Sequence, residues 1–431
     1  MSRHQLPHLH SSSHAELEIC AKEILNCLNP TADDMVRRQR TINELVNVLR
    51  SDQSLKGLLV ISFGSFISNL YTRWGDLDIS INLNQSKRCD ASRKQKLNVL
   101  KNVMRALQQT GVAYGIEYVS NAKVPIVKYR SRSYDISCDI SINNHFGYVK
   151  STILRLISSI DEHFREFVLL IKEWAKAQHV NESKTGTLNS YSLCLLIIFH
   201  FQTCTPAIFP PLMNLFKPND VDFVNGDMTH IVDSFAANIA MYKSQTSRKG
   251  KQSRLSELLI SFFEKFSTLD DLASKLAICT YTGRWEQISS NYSWMQKRHS
   301  LFIEDPFEQP ENAARAVSNP GLIEISQAIR NTYRMLSSSS VSSDRLSLLR
   351  TLVRPEIRSK LGNKHDPVHY RFEKSLNPHH HVANLSQSQP YSARLVEQHQ
   401  NPYGSTFYRR RVDVETQASE YWRYRNSPRL S

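Results

Sequence analysis

An apolar run that ends in Gly-Ser and is followed ten residues later by two closely spaced aspartates constrains the fold of this chain more than any other feature. The run covers residues 58–63, Gly64 and Ser65 follow it, and Asp76 and Asp78 begin the next apolar run. A glycine lets the backbone approach a phosphate, and a serine hydroxyl can donate a hydrogen bond to it. Residues two apart in a strand face the same way, so both carboxylates are predicted to project together. Such acids are also common on exposed strand faces, and the preceding Gly-Ser gives the pattern its weight.

A third acidic residue is available farther along the chain. Two carboxylates on one face can share a pair of magnesium ions, and a third would complete the ligand set. Residues 134–142 alternate strictly and place Asp135, Ser137 and Asp139 on one predicted strand face. Periodicity does not choose between Asp135 and Asp139.

The hydrophobic pattern predicts an α/β domain over residues 51–149. Its strands are expected at residues 58–63, 77–81, 124–129 and 134–142, with a helix at 91–109. Alternating strands and a helix within one block are typical of a mixed α/β domain.

Helical patterns flank this domain on both sides. Residues 15–28 and the segment from Thr31 to Arg50 predict two amphipathic helices, the second opened by a capping box of Thr31 and Asp34. Together they form a region at 14–50 that we expect to pack on the second domain. That domain, residues 150–336, has apolar residues at helical spacing and is predicted to be all-helical.

Both chain ends are predicted to lack a packed core. Residues 1–13 are polar and rich in His and Ser, and a low-complexity basic tail covers 337–431. The last part of the tail mixes aromatic residues with arginines, a composition suited to single-stranded nucleic acid and equally compatible with a solvated linker.

The charge balance favours a polyanionic partner. The 431 residues carry 54 Lys and Arg against 40 Asp and Glu, a formal charge of +14. Seven cysteines show no CxxC spacing, which argues against a zinc site and a disulfide framework. The N-terminus has no apolar signal segment, and the most apolar run, 193–201, is well short of the ~20 residues that a bilayer requires. We therefore expect no membrane association.

The ordered set of motifs resembles the DNA polymerase β-type nucleotidyltransferase superfamily, in its non-canonical poly(A) and poly(U) polymerase branch. The resemblance covers about residues 15–335 and is nearest to plant small-RNA uridylyltransferases. The segment from Cys138 to Asn144 matches the family segment with the third carboxylate, so the resemblance selects Asp139. It implies an α+β fold, in which a small mixed α/β catalytic domain faces a helical nucleotide-recognition domain.

The resemblance also assigns the site. It implies that Asp76, Asp78 and Asp139 are catalytic and hold two Mg²⁺ or Mn²⁺ ions. Lys172 and Lys176, four apart on one helix face, match the triphosphate-binding lysines, although a solvated lysine face is the ordinary alternative. The other residues matched to nucleotide binding are Gly64, Ser65, Asn144, Ser151, Ser190, Tyr191, Asp305, Glu308 and Arg315, with Tyr191 as the ring on which the base stacks.

Two departures from the family pattern stand out. Glu311 occupies the position where some uridylyltransferases have a uracil-reading histidine, and a carboxylate cannot donate to uracil O4 unless it is protonated. Lys150 precedes Ser151 where relatives often have asparagine, and the pattern gives Lys150 no role.

The function implied by the resemblance is the addition of uridines from UTP to RNA 3′ ends. The expected acceptors are small RNAs that lack a 3′-terminal 2′-O-methyl group, and the added uridines mark these RNAs for decay. The resemblance also implies an Argonaute complex as a partner and a nuclear and cytoplasmic location. The alternatives are an adenylyltransferase that uses ATP and an inactive RNA-binding scaffold.

Overall fold

A computed structural model describes residues 10–83, 91–216, 228–245, 254–296, 299–338 and 344–362. Most of the predicted N-terminal segment 1–13, and the tail beyond residue 362 with its aromatic residues and arginines, lie outside this part of the chain. The first helix, α1 (His10–Leu28), begins five residues before the predicted start. The polar residues at 10–13 are therefore helical, since the first turn of a helix needs no intrahelical partners for its N–H groups.

The region around the paired aspartates is a five-stranded mixed sheet. Its strands are β1 (Leu59–Phe63), β2 (Leu77–Asn82), β3 (Ala113–Val119), β4 (Ile126–Ser131) and β5 (Ser137–Ile142), in the order β1-β2-β5-β4-β3. Only β2 and β5 run parallel; the other neighbours are antiparallel. The alternation predicted every strand except β3, which separates the predicted helix from β4.

Helices cover one face of this sheet. They are α2 (Ala32–Ser51) and α4 (Arg93–Thr110), and the short α3 (Gly64–Ile67) follows β1 directly. Thr31 and Asp34 form the predicted capping box at the start of α2. The buried residues Ile42 and Leu45 of α2 belong to the same core as Leu77 and Ile79 of β2. The prediction that both N-terminal helices pack on the second domain is therefore wrong for α2, whose apolar face covers the sheet.

Helices predominate after β5. They are α5 (His145–Ser158), α6 (Glu162–Ala177), α7 (Ser190–Thr203), α8 (Met228–Gln245), α9 (Leu255–Phe266), α10 (Leu269–Ala273), α11 (Tyr292–Met295) and α12 (Asn319–Ser337). Aromatic side chains join them: the ring of Phe167 lies 5.6 Å from both the Phe201 and Phe262 rings. Helix α1 packs against α6 and α9.

The prediction that the second region is all-helical is wrong, because this region includes a hairpin of β6 (Leu276–Cys279) and β7 (Arg284–Gln287). Strands of four residues are too short to produce a clear alternating pattern. The hairpin has a structural role, because the Ile278 N–H donates to the Phe302 carbonyl and the Ile278 carbonyl accepts from the Glu304 N–H, both at 3.0 Å. These bonds hold the segment that contains Asp305 and Glu308.

Two further helices correct the predicted boundary of the tail. Helices α13 (Arg345–Leu352) and α14 (Pro355–Gly362) lie in the segment expected to be low-complexity and pack against α1. Leu348, Leu349 and Leu352 are buried there. The serine-rich composition just before these helices led to the prediction of a low-complexity tail. The two helices are short, and short helices are stabilised by tertiary packing rather than by local propensity. Among the described residues no helix is long and apolar enough to cross a membrane.

Candidate active site

The sheet places the predicted carboxylates on one face. Asp78 in β2 and Asp139 in β5 are direct neighbours in the parallel register, and their flanking residues Leu77, Ile79, Cys138 and Ile140 are buried on the opposite side. Asp76 lies in the loop just before β2 begins. Asp139 interacts electrostatically with both Asp76 and Asp78, so the three carboxylates lie near enough to influence one another's charge.

Asp135 does not belong to this group. It precedes β5, has a φ of +54°, and lies in an exposed turn. Its carboxylate accepts hydrogen bonds from Arg130 Nε at 2.5 Å and from the Tyr114 hydroxyl at 2.9 Å. The alternation at residues 134–142 therefore does not extend to Asp135, because a tight turn interrupts the strand before Ser137.

Burial and mutual repulsion perturb the acidic residues. Burial, and then the neighbouring Asp139 and Asp76 carboxylates, raise the pKa of Asp78 to about 7. Desolvation by the surrounding protein atoms, followed by the charge of Asp139, raises the pKa of Asp76. Two acids whose charged forms are disfavoured by neighbouring carboxylates are typical of a site that a cation stabilises.

Gly64 is required where the site approaches Asp78. It has a φ of +67°, and a Cβ atom added there would lie 1.9 Å from Asp78 Oδ2. The Ser65 backbone N–H donates to the Asp78 carboxylate. The Gly64 N–H donates to Ser151 Oγ at 2.7 Å, and that hydroxyl donates to the Gly147 carbonyl at 2.5 Å. Ser151 thus ties α5 to the Gly-Ser turn.

Lys128 is a site residue that the sequence analysis missed. Its Nζ lies 2.9 Å from Asp139 Oδ2, because Lys128 of β4 stands opposite Asp139 in the antiparallel register. Desolvation alone would lower the pKa of Lys128, but the hydrogen bond to Asp139 together with the charges of Asp139, Asp76 and Glu117 outweighs it, and the pKa is raised. Across the described ranges, no three His, Cys, Asp or Glu side chains are drawn together closely enough to hold a metal ion as they stand. The Lys128 ammonium instead neutralises Asp139.

The two predicted lysines of α6 lie beside the acids. Lys172 Nζ donates to the Leu70 carbonyl at 3.2 Å, in the loop that leads to Asp76. Burial, and then the charges of Lys172 and Arg354, lower the pKa of Lys176. Both lysines interact electrostatically with Asp76. The arrangement provides positive charge next to the carboxylates, as a bound triphosphate requires.

The segment after the hairpin holds a cluster of hydrogen-bonded polar side chains around Asp305, which we treat as the candidate nucleotide pocket. This carboxylate is 4% exposed and accepts hydrogen bonds from the Tyr191 hydroxyl at 3.0 Å and from Lys150 Nζ at 2.5 Å. Lys150 Nζ also pairs with Glu308 and lies 5.0 Å from the centre of the Tyr191 ring. Lys150, which the sequence pattern did not explain, therefore joins α5 to the pocket and orients the predicted stacking ring.

The structure places the remaining predicted residues in less direct positions. The Asn144 side chain caps α5 by accepting from the Gly147 N–H at 3.0 Å. Ser190 Oγ donates to Asn181 Oδ1 at 3.3 Å, and Arg315 is exposed on the loop after the pocket. Glu311 forms an exposed ion pair with Lys123 of the sheet region, at 3.3 Å.

A buried arginine fixes the loop that precedes Asp76. Arg38 of α2 is fully buried, and its Nη2 donates to the carbonyls of Thr72, Arg73 and Gly75 at 3.3, 3.1 and 2.7 Å. The Arg38 guanidinium also lies 4.7 Å from the centre of the Tyr71 ring. Because one cation satisfies three carbonyls, the loop has a defined conformation up to the first catalytic acid.

Comparisons with known proteins identify the family to which the chain is related. Residues 17–159 match the family model described as the central palm domain of mitochondrial-like poly(A) RNA polymerase. The chain is 44% identical to Protein HESO1 of Arabidopsis thaliana, over 90% of this chain and 76% of that protein. It is 28% identical to poly(A) RNA polymerase cid11 of Schizosaccharomyces pombe, over 79% of this chain and 66% of that protein.

A solved structure has the same fold. The crystal structure of the Cid1 poly(U) polymerase with MgGTP superposes with a TM-score of 0.62 at 22% identity. The superposition covers 78% of this chain and 98% of that one. The predicted α+β nucleotidyltransferase fold is thereby confirmed.

Proposed function

The chain belongs to the non-canonical poly(A) and poly(U) polymerase branch of the DNA polymerase β-type nucleotidyltransferases, and we propose that it is a template-independent RNA uridylyltransferase that adds uridines from UTP to RNA 3′ ends. The observation that carries the chemistry is the convergence of Asp76, Asp78 and Asp139 beside the Gly64-Ser65 turn. The preference for UTP is supported by 44% identity to Protein HESO1, together with the resemblance to small-RNA uridylyltransferases.

The proposal includes a divalent metal site formed by the three aspartates. The donor set fits, because oxygen ligands suit Mg²⁺ and Mn²⁺ and because neighbouring carboxylate charge raises the pKa of Asp76 and of Asp78. When bound, two such ions stabilise the attacking and leaving oxygens of a phosphoryl transfer. Lys128 forms an ion pair with Asp139, so the Asp139 carboxylate is oriented before a nucleotide binds at the site.

The side chains around the acids have separate tasks in this proposal. Lys172 and Lys176 bind the triphosphate, and the Gly64-Ser65 turn lets it approach Asp78. Tyr191 stacks on the base, held by Asp305 and Lys150. In this proposal Asp139 accepts the proton of the RNA 3′-hydroxyl as that oxygen attacks the α-phosphate of UTP and pyrophosphate leaves.

The natural acceptor is proposed from the resemblance. Small RNAs that lack a 3′-terminal 2′-O-methyl group are suitable acceptors, because a methyl group beside the attacking hydroxyl crowds the site and removes a donor. Decay of the tailed RNA, an Argonaute complex as partner, and a nuclear and cytoplasmic location complete the proposal.

Nucleotide selection tests the activity. Purified protein is incubated with a labelled oligoribonucleotide and each NTP in turn, with Mg²⁺ or Mn²⁺. The expected result is a ladder with UTP, none after chelation of the metal, and weaker extension of a 2′-O-methylated acceptor. Preferential ladders with ATP would overturn the assignment of uridine.

A matched set of variants tests the site. Replacing Asp76 and Asp78 by Ala should abolish extension while RNA binding remains measurable, and Asp135→Ala should extend RNA like the wild type, since Asp135 lies in an exposed turn. Unchanged extension by the double variant would defeat the mechanism and favour a different active site.

A further inference from the structure

An exposed tryptophan stands next to the catalytic acids. Trp74 is 44% exposed and precedes Asp76 by two residues, so their Cα atoms are within about 7 Å of each other. Large aromatic rings are normally buried, and one exposed beside an active site is a candidate for ligand contact. The proposed roles of the site residues leave Trp74 without a function.

Two cations flank the indole. The Arg73 guanidinium lies 5.8 Å from the ring centre and Lys360 Nζ lies 5.5 Å from it. Lys360 belongs to α14, more than two hundred residues away in the sequence, so the fold brings this exposed cation to the ring. An exposed aromatic ring with nearby Arg and Lys is the combination that stacks bases and neutralises phosphates of single strands.

Hydrogen bonds to the backbone hold the loop that contains Trp74 in a defined conformation. Buried Arg38 donates to the carbonyls on both sides of Trp74, those of Arg73 and Gly75, and the Gly75 N–H donates to the Thr72 carbonyl at 2.9 Å. Arg73 is fixed in addition, because its Nε lies 3.3 Å from the buried Asp34 carboxylate. A rigid support lowers the entropy lost when a ligand stacks on the ring.

We propose that Trp74, with Arg73 and Lys360, is a stacking subsite for a base of the acceptor RNA close to its 3′ end. The incoming nucleotide does not need this ring, because its base is assigned to Tyr191. Stacked nucleotides rise by about 3.4 Å each, so a Cα separation of at most about 7 Å between Trp74 and Asp76 fits a base one or two positions from the reacting hydroxyl. Stacking is tolerant of sequence, and the subsite therefore selects an unpaired 3′ end rather than a particular base. The inference depends on the proposed function only in taking RNA as the acceptor.

Direct binding of a single-stranded oligoribonucleotide, without any NTP, tests the subsite. Trp74→Ala should weaken RNA binding about 5- to 150-fold, the range for one stacked base, while UTP binding stays unchanged. Trp74→Phe should retain most of the affinity. Tyr292→Ala, which removes a 75% exposed aromatic ring outside the site, should bind like the wild type.

Two further measurements separate stacking from a structural role. An oligoribonucleotide with an abasic residue next to its 3′-terminal nucleotide should bind the wild type more weakly, and Trp74→Ala should not distinguish it from the intact oligoribonucleotide. Lys360→Gln, which leaves the loop untouched, should lower the slope of log Kd against log salt concentration by about 0.7.

The outcomes discriminate between explanations. Undiminished RNA affinity in Trp74→Ala, an equal loss in Trp74→Phe, or a parallel loss of UTP affinity would each overturn the subsite. RNA binding that depends on Trp74 in a protein that extends RNA only with ATP would keep the subsite and refute the uridylyltransferase assignment.

Discussion

Removal of the Lys150 ammonium should destabilise both the fold and the nucleotide pocket. Its side chain is 14% exposed and that of Asp305 is 6% exposed, so the Lys150–Asp305 pair is largely shielded from water. Truncating one partner of a buried ion pair leaves the other charge uncompensated, which costs about 3–5 kcal/mol. Glu308 is 33% exposed and can be rehydrated, so we expect Lys150→Met to lower the unfolding free energy by about 3 kcal/mol.

A second lysine that reaches the same loop provides the control. Lys123 pairs with Glu311, but their side chains are 62% and 41% exposed, and such pairs contribute about 0–1 kcal/mol. Urea-induced unfolding of the wild type, Lys150→Met and Lys123→Met measures the difference, and UTP titration should show weakened binding in Lys150→Met alone. In the Lys150→Met background, Asp305→Asn should cost less than it does in the wild type, because the stranded charge is gone. Equal losses for the two lysines, or additive effects of Lys150→Met and Asp305→Asn, would refute the reasoning.

Other predictions concern the supporting structure. Hydrogen bonds from Thr31 and Arg37 outweigh desolvation and lower the pKa of Asp34 to about 2, so the stability that its carboxylate contributes is present above pH 4 and is lost as the pH falls toward 2. At pH 7, Asp34→Ala should lower the unfolding free energy by about 2 kcal/mol, and the exposed control Asp33→Ala should lower it by less than about 1 kcal/mol. Equal losses for the two variants would contradict the capping role. Burial lowers the pKa of His200 to about 3, so below pH 6.5 the unfolded chain binds a proton at this residue and the folded chain does not. As the pH falls from 6 to 4, the unfolding free energy of the wild type should therefore decrease by about 1.4 kcal/mol per pH unit more than that of His200→Gln. Parallel pH profiles of the two proteins would contradict a neutral buried imidazole. Arg38→Met should lower the extension rate at saturating UTP and RNA as well as stability, because the loop before Asp76 loses its support; an unchanged rate would contradict that role.

Residues whose roles follow from local pattern were predictable from the sequence. The two-residue spacing placed Asp76 and Asp78 together, and the capping box fixed the start of α2. The choice of Asp139 over Asp135 needed the family, since both fit the alternation until the turn before Ser137 is seen. The turn depends on a single residue with positive φ, which hydrophobic periodicity does not report.

Residues whose roles depend on tertiary contacts could not be predicted. Lys128 is a site residue only because β4 lies beside β5 with a particular register. Arg38 looks like a solvated charge on an amphipathic helix, and its burial depends on the loop carbonyls that it meets. Lys150 and Asp305 are 155 residues apart in the sequence. Each role is set by a neighbour distant in sequence, and a single sequence does not reveal such neighbours.

The most direct test of the central claim compares single-turnover extension by Asp139→Asn and Asp135→Asn under saturating UTP and RNA. If Asp139 acts with Asp76 and Asp78 at one site, its replacement should slow extension by at least about 10³-fold, while the exposed Asp135 should be replaceable without effect. Comparable rates for the two variants would show that the three aspartates do not form the catalytic centre.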